Sequence, residues 1–137
     1  MITVYGIPAP KGSKSFKGMR GGHAILVESS KKVKPWTEAV IAAVLAQTDT
    51  NLSGPVSVDI IFYLPRPKST PKRVLYPAKK PDLDKLERST WDALTKAGVI
   101  EDDARIVRSS ASKRFAGCEH STMLTPGAVI FIERVTK

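Results

Sequence analysis

The chain has 137 residues and a formal net charge of +9, from 22 basic and 13 acidic side chains, and 42% of its residues are hydrophobic. This length favours one domain over residues 1–137, because two cores of half the size would each be marginal. The apolar share excludes full-length disorder, and no apolar run approaches the ~20 residues that span a bilayer. A single cysteine and the lack of a signal-peptide pattern favour the cytoplasm and no membrane partner.

The first part of the chain alternates weakly and then becomes basic and rich in glycine. Residues 2–7 predict a first strand. Residues 9–22 predict either a loop that contacts phosphates or a loose hairpin, with residues 24–28 as the returning strand. Pro35 suits the first turn of a helix, and residues 36–47 continue it with an apolar face.

The second part contains the strongest strand pattern, over residues 56–64, which suggests a central strand. Residues 65–81 hold five prolines, six bases and no acid, and they predict a long functional loop without a regular element. A helix is predicted over residues 85–97, ending at Gly98, and strands over residues 104–115 and 128–133. This order predicts an α/β (α+β) fold, with a mixed β-sheet and two main helices packed on it.

The charges are distributed unevenly along the chain. Between residues 82 and 103, seven acidic side chains stand against three basic ones, a local charge of −4, and the rest of the chain carries +13. A basic surface favours nucleic acid as the partner. Clustered carboxylates repel phosphate, but a divalent cation held between them reverses that effect.

Asp82 and Asp84 stand at the start of the second predicted helix. Side chains at i and i+2 project to the same side of an extended chain, and Pro81 favours an extended backbone before it. With Asp84 as the N-cap and Glu87 at position N3, both carboxylates would lie at the helix start and could share a divalent metal. A simple helix cap is the alternative interpretation of Asp84.

Asp102 and Asp103 follow the other end of this helix. A helix of 13 residues is about 20 Å long, so these acids can reach the first pair only if the chain returns. We expect a return if the next strand runs antiparallel to the helix and its start bends back. A basic surface with a metal-binding acidic cluster combines the components of a nuclease.

Two segments together carry a more specific pattern: Asp-Leu-Asp at residues 82–84, and Trp-Asp-Ala-Leu-Thr-Lys-Ala-Gly-Val-Ile-Glu-Asp-Asp at residues 91–103. This pattern resembles the signature of RusA-type Holliday junction resolvases, and the resemblance covers about residues 79–107. The resemblance implies a small, homodimeric, magnesium-dependent endodeoxyribonuclease. It also implies action on branched DNA in a bacterial nucleoid or a phage-infected host.

The resemblance implies that Asp82, Asp84 and Asp103 are catalytic metal ligands for Mg²⁺, with Mn²⁺ as a substitute, and that Asp102 supports them. The family pattern often has a catalytic lysine at the position of Arg88. Arginine can bind phosphate but cannot donate a proton near neutral pH, so Lys85 in the adjacent turn is a candidate replacement.

Asp92 also matches a family position. Its presence is explained equally well by an acid that bonds to a neighbouring backbone group or base.

Six lysines are expected to contact the DNA backbone: Lys11, Lys14, Lys17, Lys79, Lys80 and Lys85.

The expected function is resolution of four-way junctions by paired nicks, by a homodimer without a small-molecule cofactor. Two alternatives stay open. The protein could be a non-catalytic basic DNA-binding protein whose acids cap a helix, or a metal nuclease that acts on flaps or other branched DNA.

Overall fold

The structure, a computed structural model, describes residues 1–11, 14–20, 23–28, 31–118 and 121–136, and between residues 14 and 28 it describes the backbone alone. The elements in chain order are β1 (Ile2–Tyr5), β2 (Lys14–Arg20), β3 (His23–Glu28), α1 (Val33–Gln47), β4 (Val56–Leu64), α2 (Leu83–Ala97), a 3₁₀ turn (Asp103–Arg105), β5 (Ile106–Phe115) and β6 (Gly127–Arg134). None of the helices within these residues is long and apolar enough to cross a bilayer.

Four strands form a mixed sheet in the order β1-β6-β4-β5. Strand β4 pairs antiparallel with β6 and parallel with β5, while β1 pairs antiparallel with β6. Strands β2 and β3 form a separate antiparallel pair, so the hairpin is the correct one of the two predictions for this region. The predicted mixed sheet with two main helices is confirmed.

The strongest strand pattern in the sequence corresponds to the central strand β4, which has the predicted bounds. Val58, Ile60 and Phe62 are buried in the same core as the helices. Helix α1 contributes Trp36 and Val40 to this core, and it begins earlier than predicted, at Val33.

The opposite face of the sheet carries an apolar patch at one end, and this patch is only partly covered. Tyr5 and Phe131 are exposed there, and Ile61 is half-buried against a small cluster around Tyr63 and Val129. Antiparallel sheets usually carry polar side chains on a solvated face, so these residues form a distinct surface, which we call the open sheet face.

Helix α2 connects β4 to the parallel strand β5 and therefore runs antiparallel to both. Lys113, near the end of β5, donates from Nζ to the backbone oxygens of Lys79 and Pro81, each at 2.9 Å. Consequently, the start of α2 lies near the end of β5, and the end of α2 lies near the start of β5. The first condition for a return of the chain, a strand that runs antiparallel to the helix, is therefore met.

One buried hydrogen bond joins the two helices. Trp36 donates from Nε1 to Oγ1 of Thr90 at 3.1 Å, and Thr90 in turn donates to the backbone oxygen of Leu86 at 2.9 Å. Replacing Thr90 with valine keeps the shape of the side chain but leaves a buried indole N–H without its acceptor.

We expect Thr90→Val to lower the free energy of unfolding in urea by about 1–3 kcal/mol, the usual effect of an unsatisfied buried donor. Thr50→Val is the matched control, because Thr50 is exposed, and it should change stability by less than about 0.5 kcal/mol. Equal stability of Thr90→Val and the wild type would contradict a stabilising role for this bond.

Candidate active site

Helix α2 begins at Leu83, so Asp82 is its N-cap residue and Asp84 lies in the first turn. The predicted N-cap at Asp84, with Glu87 at N3, is therefore wrong. The backbone of Asp82 is extended (φ −70°, ψ 140°), and its side chain makes no capping hydrogen bond. The earlier start allows Leu83 to pack against the core as the first helical residue.

The carboxylates of Asp82 and Asp84 are exposed and weakly neutralised. Their side chains are 50% and 64% exposed, and the nearest cations, Lys85 Nζ and Arg88 Nη2, each lie 3.9 Å away. Ion pairs that are this long and exposed contribute little. Both carboxylates therefore stay available to another cation.

Glu87 lies on the next turn of α2, beside β5. Burial raises the pKa of its carboxyl group and the charge of Asp84 adds to this rise, while a hydrogen bond from Ser109 opposes it. Glu87 is therefore a third carboxyl group near the start of α2, together with Asp82 and Asp84.

The loop before α2 has no regular element, as predicted, but its conformation is fixed by one arginine. Arg66 donates to the backbone oxygens of Val74 at 2.8 Å and Pro71 at 2.7 Å, and its guanidinium stacks 4.8 Å from the ring centre of Phe115. With the bonds from Lys113, both ends of the loop are attached to the sheet.

A groove of about 500 Å³ lies between this loop and residues 7–10. Its lining is mostly proline and other apolar side chains, and Lys32, Lys79 and Lys80 contribute positive charge. On the loop side, the lining ends at Pro81, the residue that precedes Asp82 in the chain.

The six lysines predicted to contact DNA fall into two groups. Lys79, Lys80 and Lys85 lie beside the start of α2, and the backbone of Lys11 donates to that of Lys85 at 3.1 Å. The side chains of Lys14 and Lys17 lie outside the described part of the structure.

At the other end of α2, Asp103 lies against the helix. Thr95 donates from Oγ1 to its Oδ1 at 2.7 Å. Burial is the largest cause that raises the pKa of Asp103, the neighbouring carboxyl group of Asp92 raises it further, and the bond from Thr95 lowers it. Asp102 instead accepts from the backbone N–H of Ala104 at 3.1 Å and caps the 3₁₀ turn.

Asp92 has two partners. Besides Asp103, it contacts Lys11, whose Nζ lies 3.0 Å from Oδ2. The alternative interpretation of Asp92 as an acid bonded to a neighbouring base is therefore confirmed. Sequence reasoning missed the contact between Asp92 and Asp103, and the role of Thr95. The signal was the i, i+3 spacing of Asp92 and Thr95, which places them on one helix face.

The two ends of α2 do not meet in one chain. Asp84 and Asp92 are eight residues apart, which is about 12 Å along a helix, and Asp103 lies beside Asp92 and Thr95. The second condition for a return, a bend of the following strand back towards the first pair, is not met, because this contact holds Asp103 beside the last turns of α2. Among the described residues, no group of three or more His, Cys, Asp or Glu side chains could hold one metal ion.

The carboxylate oxygens of these residues nevertheless suit a hard cation as its ligands. Carboxylate oxygens stand in pairs at both ends of the helix, and Mg²⁺ is commonly bound by one or two carboxylates together with water and phosphate. Burial is the largest cause that raises the pKa of Asp103 and the neighbouring Asp92 adds to it, and a cation bound between these two carboxylates would oppose both effects. The chemistry of each pair fits magnesium, whereas the three aspartates together are not assembled within one chain.

Trp91 lies midway along α2 and is half-buried. Its Nε1 is fully buried and has no hydrogen-bond acceptor among the described residues. A buried donor without an acceptor costs about 1–3 kcal/mol, so this position is unusual within an otherwise well-bonded helix.

A small α+β fold, with exposed carboxylates beside a basic loop that contains no acid, is typical of a nuclease. The chain matches the family described as endodeoxyribonuclease RusA over residues 6–125, and it belongs to this family. The predicted family is thereby confirmed, and the membership indicates a hydrolase that acts on DNA.

A relative in Bacillus subtilis (strain 168) is named "Uncharacterized protein YqaN". It is 30% identical over 127 residues, which cover 84% of this chain and 87% of the relative. The similarity therefore extends through both ends of α2.

The contacts of Asp103 predict opposite pKa shifts for two variants. In metal-free protein, Asp92→Asn should lower the pKa of Asp103, because a neighbouring negative charge is removed, whereas Thr95→Val should raise it, because a donor to the carboxylate is lost. NMR titration of the Asp103 carboxyl carbon measures both shifts. Shifts in the same direction would contradict this arrangement.

The same contacts determine the sign of a stability effect. Because the pKa of Asp103 is raised by folding, its favourable contribution is complete below the unfolded-state pKa and is lost as pH rises through the folded-state pKa. Asp92→Asn should reduce this loss, so the variant should gain stability relative to the wild type as pH rises through that range.

Proposed function

We propose that this protein is a magnesium-dependent, structure-selective endodeoxyribonuclease that resolves four-way DNA junctions by paired nicks. One observation carries the proposal: the exposed carboxylates of Asp82 and Asp84 stand at the end of a basic loop that contains no acid. The loop offers positive charge to a DNA backbone, and the carboxylates offer oxygen ligands beside it. Family membership supports DNA as the substrate.

In this proposal, Asp82, Asp84 and Asp103 bind the metal, and Mn²⁺ can replace Mg²⁺. Bound magnesium would supply an activated water and stabilise the leaving oxygen of the phosphodiester. Asp102 has a lesser role, because its carboxylate already accepts the N–H of Ala104.

Two cations beside the first pair differ in the chemistry they can perform. Arg88 can bind a phosphate through two parallel hydrogen bonds but retains its proton. Lys85 carries a proton that it can transfer, and its Nζ lies near Asp82. We therefore assign phosphate binding to Arg88 and favour Lys85 over Arg88 as the proton donor to the leaving oxygen.

The DNA backbone would follow the basic side of the groove towards Asp82. Lys79 and Lys80 contribute to the lining of this groove, and Lys11, Lys14 and Lys17 extend the basic segment at the N-terminal end. Affinity should therefore fall steeply as salt concentration rises. We further propose a homodimer without a small-molecule cofactor, which acts in the cytoplasm on nucleoid or phage DNA.

The proposal predicts separate effects on binding and on cutting. With a synthetic four-way junction and magnesium, the wild type should produce paired nicks, while Asp82→Asn should bind the junction and cut at least about 100-fold more slowly. Loss of cutting follows because an amide is a neutral and weaker ligand for a hard cation. Denaturing gels measure cutting, and gel shifts in calcium measure binding.

Asp49→Asn is the matched control, because Asp49 is an exposed aspartate outside this site. It should cut like the wild type. Binding without nicks at any magnesium concentration would instead support a non-catalytic DNA-binding protein. Preferred cutting of flaps over four-way junctions would support the other alternative, a nuclease with a different branched substrate.

A further inference from the structure

We propose that the groove between the basic loop (residues 65–81) and residues 7–10 binds one unstacked nucleobase of the branched DNA. The base would lie against the exposed ring of Tyr76, and the lysines of the lining would contact the phosphates on either side of it. This inference rests on the proposed function, because it takes branched DNA as the substrate and Asp82 and Asp84 as metal ligands. It adds a site that distinguishes a branch point from a continuous duplex.

The size and the lining of the groove suit the flat face of a base. Its volume is about 500 Å³, within the range of about 300–1,000 Å³ that is typical of small-molecule pockets. Leu64 and Phe115 line it and are otherwise buried, whereas Tyr76 lines it from the loop and is 66% exposed. Every nucleobase has a π-face that stacks on an aromatic ring. Tyr76 therefore offers a stacking partner above an apolar floor.

The charges around the groove match a polyanion. Three lysines belong to the lining, Lys32, Lys79 and Lys80, and no acidic side chain is among the described residues that line it. All three lysines are exposed, so their ammonium groups can reach phosphates in solution. An apolar recess bordered by cations complements a nucleotide, which combines a flat base with a negative phosphate. A neutral apolar ligand would gain nothing from these three charges.

The position of the groove favours the DNA strand that is cut. On the loop side the lining ends at Pro81, and Asp82 is the next residue. Consecutive Cα atoms are about 3.8 Å apart, so a base at this end of the groove would lie within a few nucleotides of a phosphate bound at Asp82 and Asp84. The base site and the candidate metal site would therefore act on one strand.

The walls of the groove are held in place before any ligand binds. Arg66 donates to the backbone oxygens of Pro71 and Val74, and Lys113 donates to that of Lys79. All three acceptor residues belong to the lining, and seven of the lining residues are prolines, whose rings fix the backbone angle φ. A preformed site loses less conformational entropy when a ligand binds. The groove can therefore receive a base without first being ordered.

A base site beside the candidate metal site would select branched DNA. A base in a continuous duplex must leave its stack and its pair before it can enter a pocket, whereas a mismatched or unpaired base has already lost part of these contacts. The groove would therefore add more affinity for a four-way junction than for a duplex of the same length. Lysine contacts to phosphates, in contrast, attract both kinds of DNA.

A double-mutant cycle between protein and DNA tests the contact. Gel shifts in calcium measure the binding of the wild type and Tyr76→Ala to a four-way junction, intact or with an abasic nucleotide at each position beside the crossover in turn. On the intact junction, Tyr76→Ala should bind at least about fivefold more weakly, because a base–aromatic stack is lost. At one abasic position the wild type should lose a similar factor and Tyr76→Ala nothing further, because the contact is already absent.

Two variants serve as controls. Tyr5→Ala removes an exposed aromatic ring from the open sheet face, and it should bind the intact and the abasic junctions like the wild type. Lys80→Gln should weaken binding to all of these junctions by the same factor and reduce the dependence on salt, because it removes a phosphate contact and no base contact.

An equal loss of affinity by Tyr76→Ala on the intact junction, every abasic junction and a duplex would indicate a structural role for Tyr76 and overturn the inference. Unchanged affinity of Tyr76→Ala for the intact junction would overturn it as well. The cycle measures binding alone, so its result does not depend on cutting. Failure of the wild type to cut in magnesium would contradict the proposed function, and the two failures are therefore distinguishable.

Discussion

The direction of α2 relative to its neighbouring strands is the constraint on which the chemistry of this protein depends. Because β4 and β5 are parallel neighbours, the helix between them must run in the opposite direction. Its 15 residues separate its ends by about 22 Å. The aspartates before and at the start of α2 are therefore separated from Asp102 and Asp103, which follow its end.

This division explains why the two acidic groups have different electrostatic surroundings. At the start of α2, Asp82 and Asp84 lie near the positive end of the helix dipole and are exposed to water. At the other end, Asp103 is partly buried beside Asp92, close to the negative end of the dipole, and the pKa of Asp103 is raised.

The main elements of the fold could be predicted from sequence because each has a strong local signal. The apolar run of β4 reproduces its observed bounds, and Gly98 ends α2 in the left-handed conformation that favours glycine (φ 82°). The predicted start of α2 was wrong, because the contact of Leu83 with the core outweighed the capping pattern at Asp84.

The arrangement of the candidate site was less accessible to sequence reasoning. Local spacing could pair Asp82 with Asp84 and could mark Asp102 and Asp103 as a second acidic group, whereas the choice of Asp103 came from the family resemblance. Local spacing could not predict that Thr95 would hold Asp103 at the end of α2, because this contact forms only after the chain turns back. The attachment of the basic loop by Arg66 and Lys113 depends on the sheet in the same way.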